Sequence, residues 1–241
     1  MKILVFWEQS EWGGVDSHLY ELIKNWPNEN DSFTIMHNYN NPGLYRIKKG
    51  LLKLNTNFVP IDILSYSSLL SNFIDRKSFR IAWLLLNILK PFLFFLSTNQ
   101  LKKILQAYND HEILLANNGG YPASWGSLSA IIASKKINFK KKFLLVHHAA
   151  APVSKILYFF EKYVDGKVFE IVDKIIFVSN ASRQKFFEHR KVLDSINKSV
   201  VIHNEFTFKN INRDSNLKSL ISNEKENSNQ LIIGMIGRIE F

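Results

Sequence analysis

Short runs of aliphatic and β-branched residues alternate along the chain with longer segments whose apolar positions recur at helical spacing. The first run, residues 2–7, is apolar at every position after Lys2, and residues 174–178 repeat this pattern. Such continuous apolar runs are typical of strands that are buried on both faces, as in a parallel sheet covered by helices. The predicted strands are residues 2–7, 32–37, 57–60, 112–116, 142–147, 174–178, 199–203 and 231–236.

The segments between the strands predict five helices. Pro91 lies inside the longest of them, where we expect a break because proline has no backbone N–H and clashes with the preceding turn. The alternation of strands and helices predicts an α/β fold, specifically a Rossmann-like doubly wound parallel sheet. The predicted helices are residues 15–26, 79–108, 122–134, 152–171 and 181–190.

The composition changes after Asn204. Residues 210–230 are rich in Asn, Ser, Lys and Glu, as in a linker or an exposed helix. Residues 231–238 then form another apolar run that ends in a glycine turn. We therefore predict one domain at 1–205, a linker at 206–230 and the first strand of a truncated second domain at 231–241.

Composition and motifs exclude several classes of protein. The 241 residues include no cysteine, which rules out disulfides and thiolate chemistry and suits a reducing cytoplasm. A net charge of +10 favours anionic ligands such as nucleotides, nucleic acid or acidic lipids. Because no zinc-finger, RNP-like or helix-turn-helix signature occurs, we expect no nucleic-acid partner. The usual serine-hydrolase and P-loop motifs are also absent from suitable contexts.

Candidate ligand-binding residues follow the predicted strands, at the edge where open parallel sheets bind ligands. Gly13 and Gly14 precede a helix whose N-terminus can bind phosphate, although a Gly-Gly pair before a helix is more often a simple turn. Asn117 and Asn118 follow the fourth strand, where an ordinary strand-to-helix loop is the alternative. Ser179 follows the sixth strand and is placed to cap the next helix.

His147 and His148 follow the fifth predicted strand. An imidazole at this position can hydrogen-bond a sugar hydroxyl or transfer a proton. If the strand continues through both residues, their side chains point to opposite faces, so only one of them can face a ligand. Neither has a third ligand at a recognisable spacing, so no metal site is expected.

Taken in order, these segments resemble glycosyltransferase family 4, whose members have the GT-B fold of two Rossmann-like domains facing a cleft. Residues between about 42 and 108 match only in general character. The resemblance rests on the first strand followed by Gly-Gly-Val-Asp-Ser-His at 13–18, and on residues 144–148, 175–182, 200–204 and 233–238.

The resemblance implies roles for individual residues. Gly13, Gly14 and Arg238 would contact the phosphates of the donor. His147 or His148 would contact the donor sugar beside the reacting centre, as the candidate catalytic residue. The remaining assignments, to binding of the acceptor or the sugar, are His18, Asn117, Asn118 and Ser179.

The implied function is retaining transfer of a sugar from a nucleotide-sugar to an envelope or lipid-linked glycan, without a metal or other cofactor. The family's paired glutamates lie in the second domain, so we expect the 241-residue chain alone to be inactive. A cytoplasmic location is expected. The apolar helix at 81–96 lies near basic residues and offers a peripheral membrane contact, although a helix packed in the core is the favoured interpretation of this segment. Two alternatives stay open: a non-catalytic sugar- or acceptor-binding half-protein, and a nucleotide-sugar epimerase of the same fold.

Overall fold

Seven parallel strands form one sheet in the computed structural model, which describes residues 1–71, 79–192 and 197–204. The spatial order of the strands is β3-β2-β1-β4-β5-β6-β7, and this confirms the predicted Rossmann-like doubly wound parallel sheet. In chain order the strands are β1 (Lys2–Trp7), β2 (Ser32–Asn38), β3 (Thr56–Ile61), β4 (Ile113–Asn118), β5 (Lys141–Val146), β6 (Lys174–Phe177) and β7 (Ser199–Val201).

Helices cover the sheet from both sides. They are α1 (Gly14–Lys24), α2 (Leu44–Gly50), α3 (Tyr66–Ser71), α4 (Phe79–Leu105), α5 (Trp125–Ala133), α6 (Tyr158–Ile171) and α7 (Asn180–Arg190). Successive strand residues point to opposite faces. Ile3 and Val5 therefore pack in the core under α1 and α2, whereas Leu4 and Phe6 pack in the core that includes α4 to α7.

The expected break near Pro91 is wrong. Pro91 lies inside α4, which is continuous from Phe79 to Leu105. Leu86 and Leu93, on either side of the proline, are both buried. Burial of side chains on both sides of the proline offsets the hydrogen bond that proline removes.

Other predicted boundaries shift by a few residues. β5 ends at Val146, one residue before the predicted end, and α6 begins at Tyr158 rather than at residue 152. The short helices α2 and α3 were not predicted. The linker at 206–230, the strand at 231–241 and Arg238 lie outside the described residues, so the predicted domain boundaries stay predictions.

A buried ion cluster joins α6, α7 and the loop after β4. Arg190 is fully buried, and its guanidinium donates to Glu161 at 2.8 Å and to Asp165 at 2.8 and 3.2 Å. The Tyr121 hydroxyl donates to the same Asp165 carboxylate at 2.9 Å. The cluster thus anchors the loop that follows the predicted site residue Asn118, the last residue of β4.

Candidate functional site

The sheet has a topological switch point between β1 and β4. After β1 the chain adds β2 and β3 on one side, and β4 then pairs with the other side of β1. The loops after β1 and β4 diverge here and leave a crevice at the carboxyl ends of the strands, where open α/β sheets bind ligands. The strand register places Asn117 beside Trp7 and Asn118 beside Val146, so the predicted site residues meet at this crevice.

Three predicted site residues form one cluster, which we call the polar cluster: His18, Asn117 and His147. The imidazole rings of His18 and His147 lie edge to face with their centroids 4.8 Å apart. His147 Nε2 is 2.9 Å from Asn117 Oδ1, and Asn117 is fully buried. Asn118, the next residue of β4, is also fully buried, but its side chain points to the opposite face, where it accepts a hydrogen bond from the Ser124 N–H at 3.0 Å.

Two buried polar atoms of this cluster, His18 Nδ1 and Asn117 Nδ2, have no hydrogen-bond partner in the described part of the chain. Asn118 Nδ2, on the other face of β4, is a third such atom. A buried polar atom left unpaired costs about 1–3 kcal/mol, so native proteins contain few of them. An amide donor and an imidazole nitrogen beside His147 would be satisfied together by a ligand that is rich in hydroxyl groups.

The backbone decides which histidine belongs to the cluster. The N–H of His147 donates to Gly119 O at 2.9 Å, and the N–H of His148 donates to the same oxygen at 2.7 Å. The chain therefore turns away from the strand direction at this point. His147 is 8% exposed and faces inward, whereas His148 is exposed to solvent.

The environment of His147 keeps its imidazole neutral. Burial, with smaller effects from His18 and His148, lowers the pKa of His147 to about 3. Burial also lowers the pKa of His18. A neutral ring that donates from Nε2 to Asn117 has an unprotonated Nδ1, which can accept a hydrogen bond. His147 is thus suited to hydrogen-bond a ligand and poorly suited to hold a proton near pH 7.

We expect the stability of the protein to fall in acid because of His147. The pKa is about 3 when folded and near 6.5 when unfolded, so the unfolded chain binds the proton more readily. The free energy of unfolding that this difference in pKa contributes is complete above pH 6.5. It is lost as the pH falls toward 3, by at most about 1.4 kcal/mol per pH unit. Urea unfolding at pH 7 and pH 4 should show a smaller loss in His147→Gln than in the wild type. An equal loss of stability in both proteins would contradict the assignment of this acid sensitivity to His147.

The turn before α1 is already occupied by a carboxylate. Asp16 is buried and accepts hydrogen bonds from the Gly13 N–H at 2.6 Å and from Trp7 Nε1 at 2.8 Å. A Cβ atom added at Gly13 or Gly14 would meet nothing within 4 Å, so there is open space beside both glycines. A phosphate could approach this space, but it would compete with Asp16 for the helix N-terminus. Phosphate binding at Gly13 and Gly14 stays a prediction.

Glu8 is a buried residue of the crevice that the sequence reasoning did not select. It directly follows β1, and its carboxylate accepts hydrogen bonds from the Ser65 hydroxyl at 2.5 Å and the Ser124 hydroxyl at 3.4 Å. Burial raises the pKa of the Glu8 carboxyl, and these bonds, together with one from the Gly126 N–H, oppose the rise. Glu8 thereby fixes the start of α5 next to Asn118. Its position at the end of β1 was the signal that could have identified it.

Gly126 leaves the space that the Glu8 carboxylate fills. A Cβ atom at this position would lie 2.0 Å from Glu8 Oε2. We expect Gly126→Ala to lower the free energy of unfolding by about 1–3 kcal/mol, because a buried carboxylate has to move. Gly166→Ala is the matched control, since a Cβ atom there meets nothing and alanine favours the helix by about 0.5–1 kcal/mol. Urea denaturation of both variants tests the difference, and equal stabilities would contradict the account.

Ser179 acts as the N-cap of α7. Its hydroxyl accepts a hydrogen bond from the Ser182 N–H at 3.1 Å and donates to the Ser182 hydroxyl at 3.1 Å. Capping accounts for both bonds, and the structure does not bring Ser179 into the polar cluster. A role in sugar or acceptor binding stays a prediction.

Two kinds of feature are absent from the residues that the structure describes. Within 1–71, 79–192 and 197–204, no group of three or more His, Asp or Glu side chains is arranged to hold a metal ion. Among the helices in these same ranges, none is long and apolar enough to cross a bilayer.

Two cavities lie outside the polar cluster. An apolar cavity of about 230 Å³ borders His18 and is lined mainly by aliphatic and aromatic side chains, so it does not suit a sugar. A more open basin of about 540 Å³ lies between the start of α6 and the end of α7.

Comparison with solved structures finds several similar proteins of low sequence identity. A glycosyltransferase from Rickettsia africae ESF-5 matches with a TM-score of 0.53 and 17% identity, over 95% of this chain and 50% of that one. MurG from Acinetobacter baumannii matches with a TM-score of 0.46 and 12% identity, over 86% of this chain and 47% of that one. A UDP-GlcNAc 2-epimerase from Neisseria meningitidis, bound to UDP-GlcNAc, matches with a TM-score of 0.47 and 11% identity, over 85% of this chain and 47% of that one.

The chain spans about half the length of these solved structures. No family model matches the sequence, and no curated protein matches it. Membership of glycosyltransferase family 4 therefore stays a prediction. The first of these structural matches shows that this chain has the Rossmann-like α/β fold of half of a glycosyltransferase.

Proposed function

We propose that the chain is the acceptor-side half of a retaining glycosyltransferase that uses a nucleotide-sugar as donor. The observation that carries the proposal is the polar cluster, in which His18 Nδ1 and Asn117 Nδ2 are buried at the switch point without a partner among the described residues. Sugar hydroxyls both donate and accept hydrogen bonds, so one sugar ring could satisfy Asn117 and His18 together.

The donor phosphates require positive charge. The chain carries a net charge of +10, which attracts a nucleoside diphosphate. In the proposed reaction, the bond from the anomeric carbon to the diphosphate breaks while the acceptor oxygen bonds to the same carbon with retained configuration. The departing diphosphate takes the bonding electrons and accepts the proton of the acceptor hydroxyl, and positioned positive groups such as Arg238 would stabilise its remaining charge. His147, being neutral, would position a sugar hydroxyl.

The acceptor is proposed to be an envelope or lipid-linked glycan, reached at the cytoplasmic face of the membrane. The support is the basic net charge together with exposed apolar side chains on α4, for example Ile88 and Phe92. No metal or further cofactor is proposed for the reaction.

The test is a transfer assay on the protein translated from the whole gene. The first step is to read the gene in frame beyond the Phe241 codon, where the proposal expects a nearby Lys-Gly turn and two glutamates seven residues apart. The purified protein is then incubated with UDP-, GDP- and ADP-sugars and a lipid-linked acceptor. A glycosylated acceptor and released nucleoside diphosphate would support the proposal. A free nucleotide-sugar of inverted configuration would favour an epimerase, and binding without turnover a non-catalytic half-protein.

A further inference from the structure

The end of α7 holds a lysine in a backbone conformation that favours glycine. Lys191, the residue after α7, has φ 48° and ψ 50°, in the left-handed region. It is the one non-glycine residue with a positive φ in the part of the chain that the structure describes. Helices that end on a left-handed residue usually have glycine there, because a Cβ atom strains this conformation. Such strain clusters at functional sites, so the Lys191 side chain is a candidate for a role in binding.

Lys191 lines the open basin between α6 and α7 together with two other lysines. Lys155, from the segment before α6, and Lys162, from α6 itself, line the same cavity of about 540 Å³. The Lys162 ammonium donates to the Arg190 carbonyl oxygen at 2.6 Å, which holds it beside Lys191. We call Lys155, Lys162 and Lys191 the lysine triad. A cavity of this volume is in the range of ligand pockets, about 300–1,000 Å³.

The positive charge of the lysine triad is not neutralised within the basin. Glu188 is the only acidic residue among the described lining residues, and its carboxylate pairs with Lys185 at 2.8 Å. The lysine ion pairs found among the described residues include no member of the triad. Because charges of one sign gathered in a concave surface attract a ligand of the opposite sign, the basin favours an anion.

The rest of the lining suits a sugar ring better than a bare ion. Tyr158 is 49% exposed and lines the basin together with Pro152 and Val153. An aromatic ring packs by dispersion against the carbon face of a sugar ring, whereas a small inorganic anion gains little from such a surface. Cations beside apolar side chains therefore indicate a saccharide that carries carboxylate or phosphate groups.

The basin lies on the same loop as the candidate site. Pro152, which lines the basin, follows His147 by five residues, so the two are at most about 18 Å apart. The loop between them is held in place, because the Ala151 N–H donates to the Tyr121 carbonyl oxygen at 2.7 Å. An oligosaccharide with one sugar in the polar cluster can extend over this distance to the basin.

We propose that the basin binds an acidic group of the acceptor saccharide, a carboxylate or a phosphate, and so selects an anionic acceptor. The lysine triad supplies the positive charge, and Tyr158 supplies the contact with a sugar ring. Lysine ammonium groups act as separate point charges, so they suit acidic groups that are spaced along a saccharide chain. The inference rests on the proposed function for the identity of the acceptor, and it involves residues outside the polar cluster.

The experiment is calorimetric titration of the 241-residue chain with two acidic probes, each paired with a neutral counterpart. Tetragalacturonate is paired with its methyl ester, and glucose 6-phosphate is paired with glucose. We expect at least one acidic probe to bind at least roughly tenfold more tightly than its counterpart, since charge-assisted contacts are lost in the neutral form. This binding should weaken at high salt. The probe that binds more tightly identifies the acidic group as carboxylate or phosphate.

Two double variants test whether the basin is the site of binding. Lys155→Gln/Lys191→Gln should weaken binding of the acidic probe at least roughly tenfold, because two charged contacts are removed. The matched control is Lys48→Gln/Lys53→Gln, on α2 and just after it, where both side chains are exposed. It lowers the net charge by the same amount and should bind like the wild type.

Lys191→Gly separates a role in binding from a role in structure. It should weaken binding roughly fivefold, because one charged contact is lost. It should also raise the melting temperature by about 2–4 °C, because glycine adopts the left-handed conformation without strain. If Lys191 had only a structural role, the variant would bind the acidic probe like the wild type.

Three results would overturn the proposal: no saturable binding of either acidic probe, equal binding of the neutral counterparts, or equal losses in the two double variants. Inorganic phosphate that binds as tightly as the acidic saccharides would also overturn it, because the basin would then hold a bare ion. The titration needs no nucleotide-sugar. Sugar transfer by a protein that binds neither acidic probe would therefore overturn this inference and leave the proposed function standing.

Discussion

Arg190→Met is expected to lower the free energy of unfolding by about 3–5 kcal/mol, because it leaves two buried carboxylates without their cation. Arg190 is fully buried and donates to Glu161 and Asp165, which are themselves buried. A loss of this size is a large fraction of the stability of a typical domain. Urea denaturation followed by tryptophan fluorescence measures it.

Two further variants show whether the loss comes from the buried charges. Adding Asp165→Asn to Arg190→Met removes one of the uncompensated carboxylates and should recover part of the stability. Lys135→Met breaks an exposed ion pair with Glu170 and should change stability little. If Arg190→Met lowered the free energy of unfolding as little as Lys135→Met, the buried ion cluster would not be the anchor of the loop after β4.

His147→Ala is expected to reduce kcat/KM for sugar transfer by roughly tenfold to a hundredfold in the protein translated from the whole gene. The change removes a buried hydrogen-bonding group beside Asn117 and His18, where the sugar is proposed to bind. The matched control is His148→Ala, the same change at the next residue, whose side chain is exposed. Initial-rate kinetics on both variants tests the prediction.

Comparing the two variants separates the effect of the polar cluster from that of the loop that contains both histidines. If His148→Ala lost activity while His147→Ala kept it, the inward-facing histidine would not be the functional one. Comparable thermal stability of His147→Ala and the wild type would show that any loss of rate comes from the site. This comparison is informative because both residues lie in the same loop.

The strands were predictable because their signal is local. In Lys2–Trp7 every residue after Lys2 is apolar, and the observed β1 has the predicted bounds. Both faces of this sheet are covered, so burial demands such runs wherever a central strand occurs. The apolar pattern therefore determined the fold class from sequence alone.

Tertiary contacts account for what the sequence did not predict. α2 has seven residues, of which only Ile47 is buried, and no side chain caps it, so it has little local signal. A Cβ atom at its last residue, Gly50, would lie 2.3 Å from the Tyr20 ring, a reason for glycine that only the packing against α1 supplies. Pro91 is the converse case, since a strong local signal for a break was overridden by burial on both sides of it.

The candidate site was predictable in its position but not in its details. Open parallel sheets bind ligands at the carboxyl ends of their strands, and this rule alone pointed to Asn117, Asn118 and the two histidines. The choice between the histidines depends on the backbone bonds to Gly119 that turn the chain after β5. Glu8 was missed because its partners, Ser65 and Ser124, are distant in sequence and meet only in the folded chain.

The most direct test of the polar cluster as the sugar site is imidazole NMR of the whole-gene protein labelled with ¹⁵N-histidine. Long-range spectra recorded during titration with nucleotide-sugar report the tautomer and environment of each ring. The account predicts a neutral His147 at pH 7, with saturable shifts of the His147 and His18 signals and little change at His111, which lies at the opposite end of β4. Saturable shifts of other histidines with His18 and His147 unchanged, or no shifts at all during sugar transfer, would contradict it.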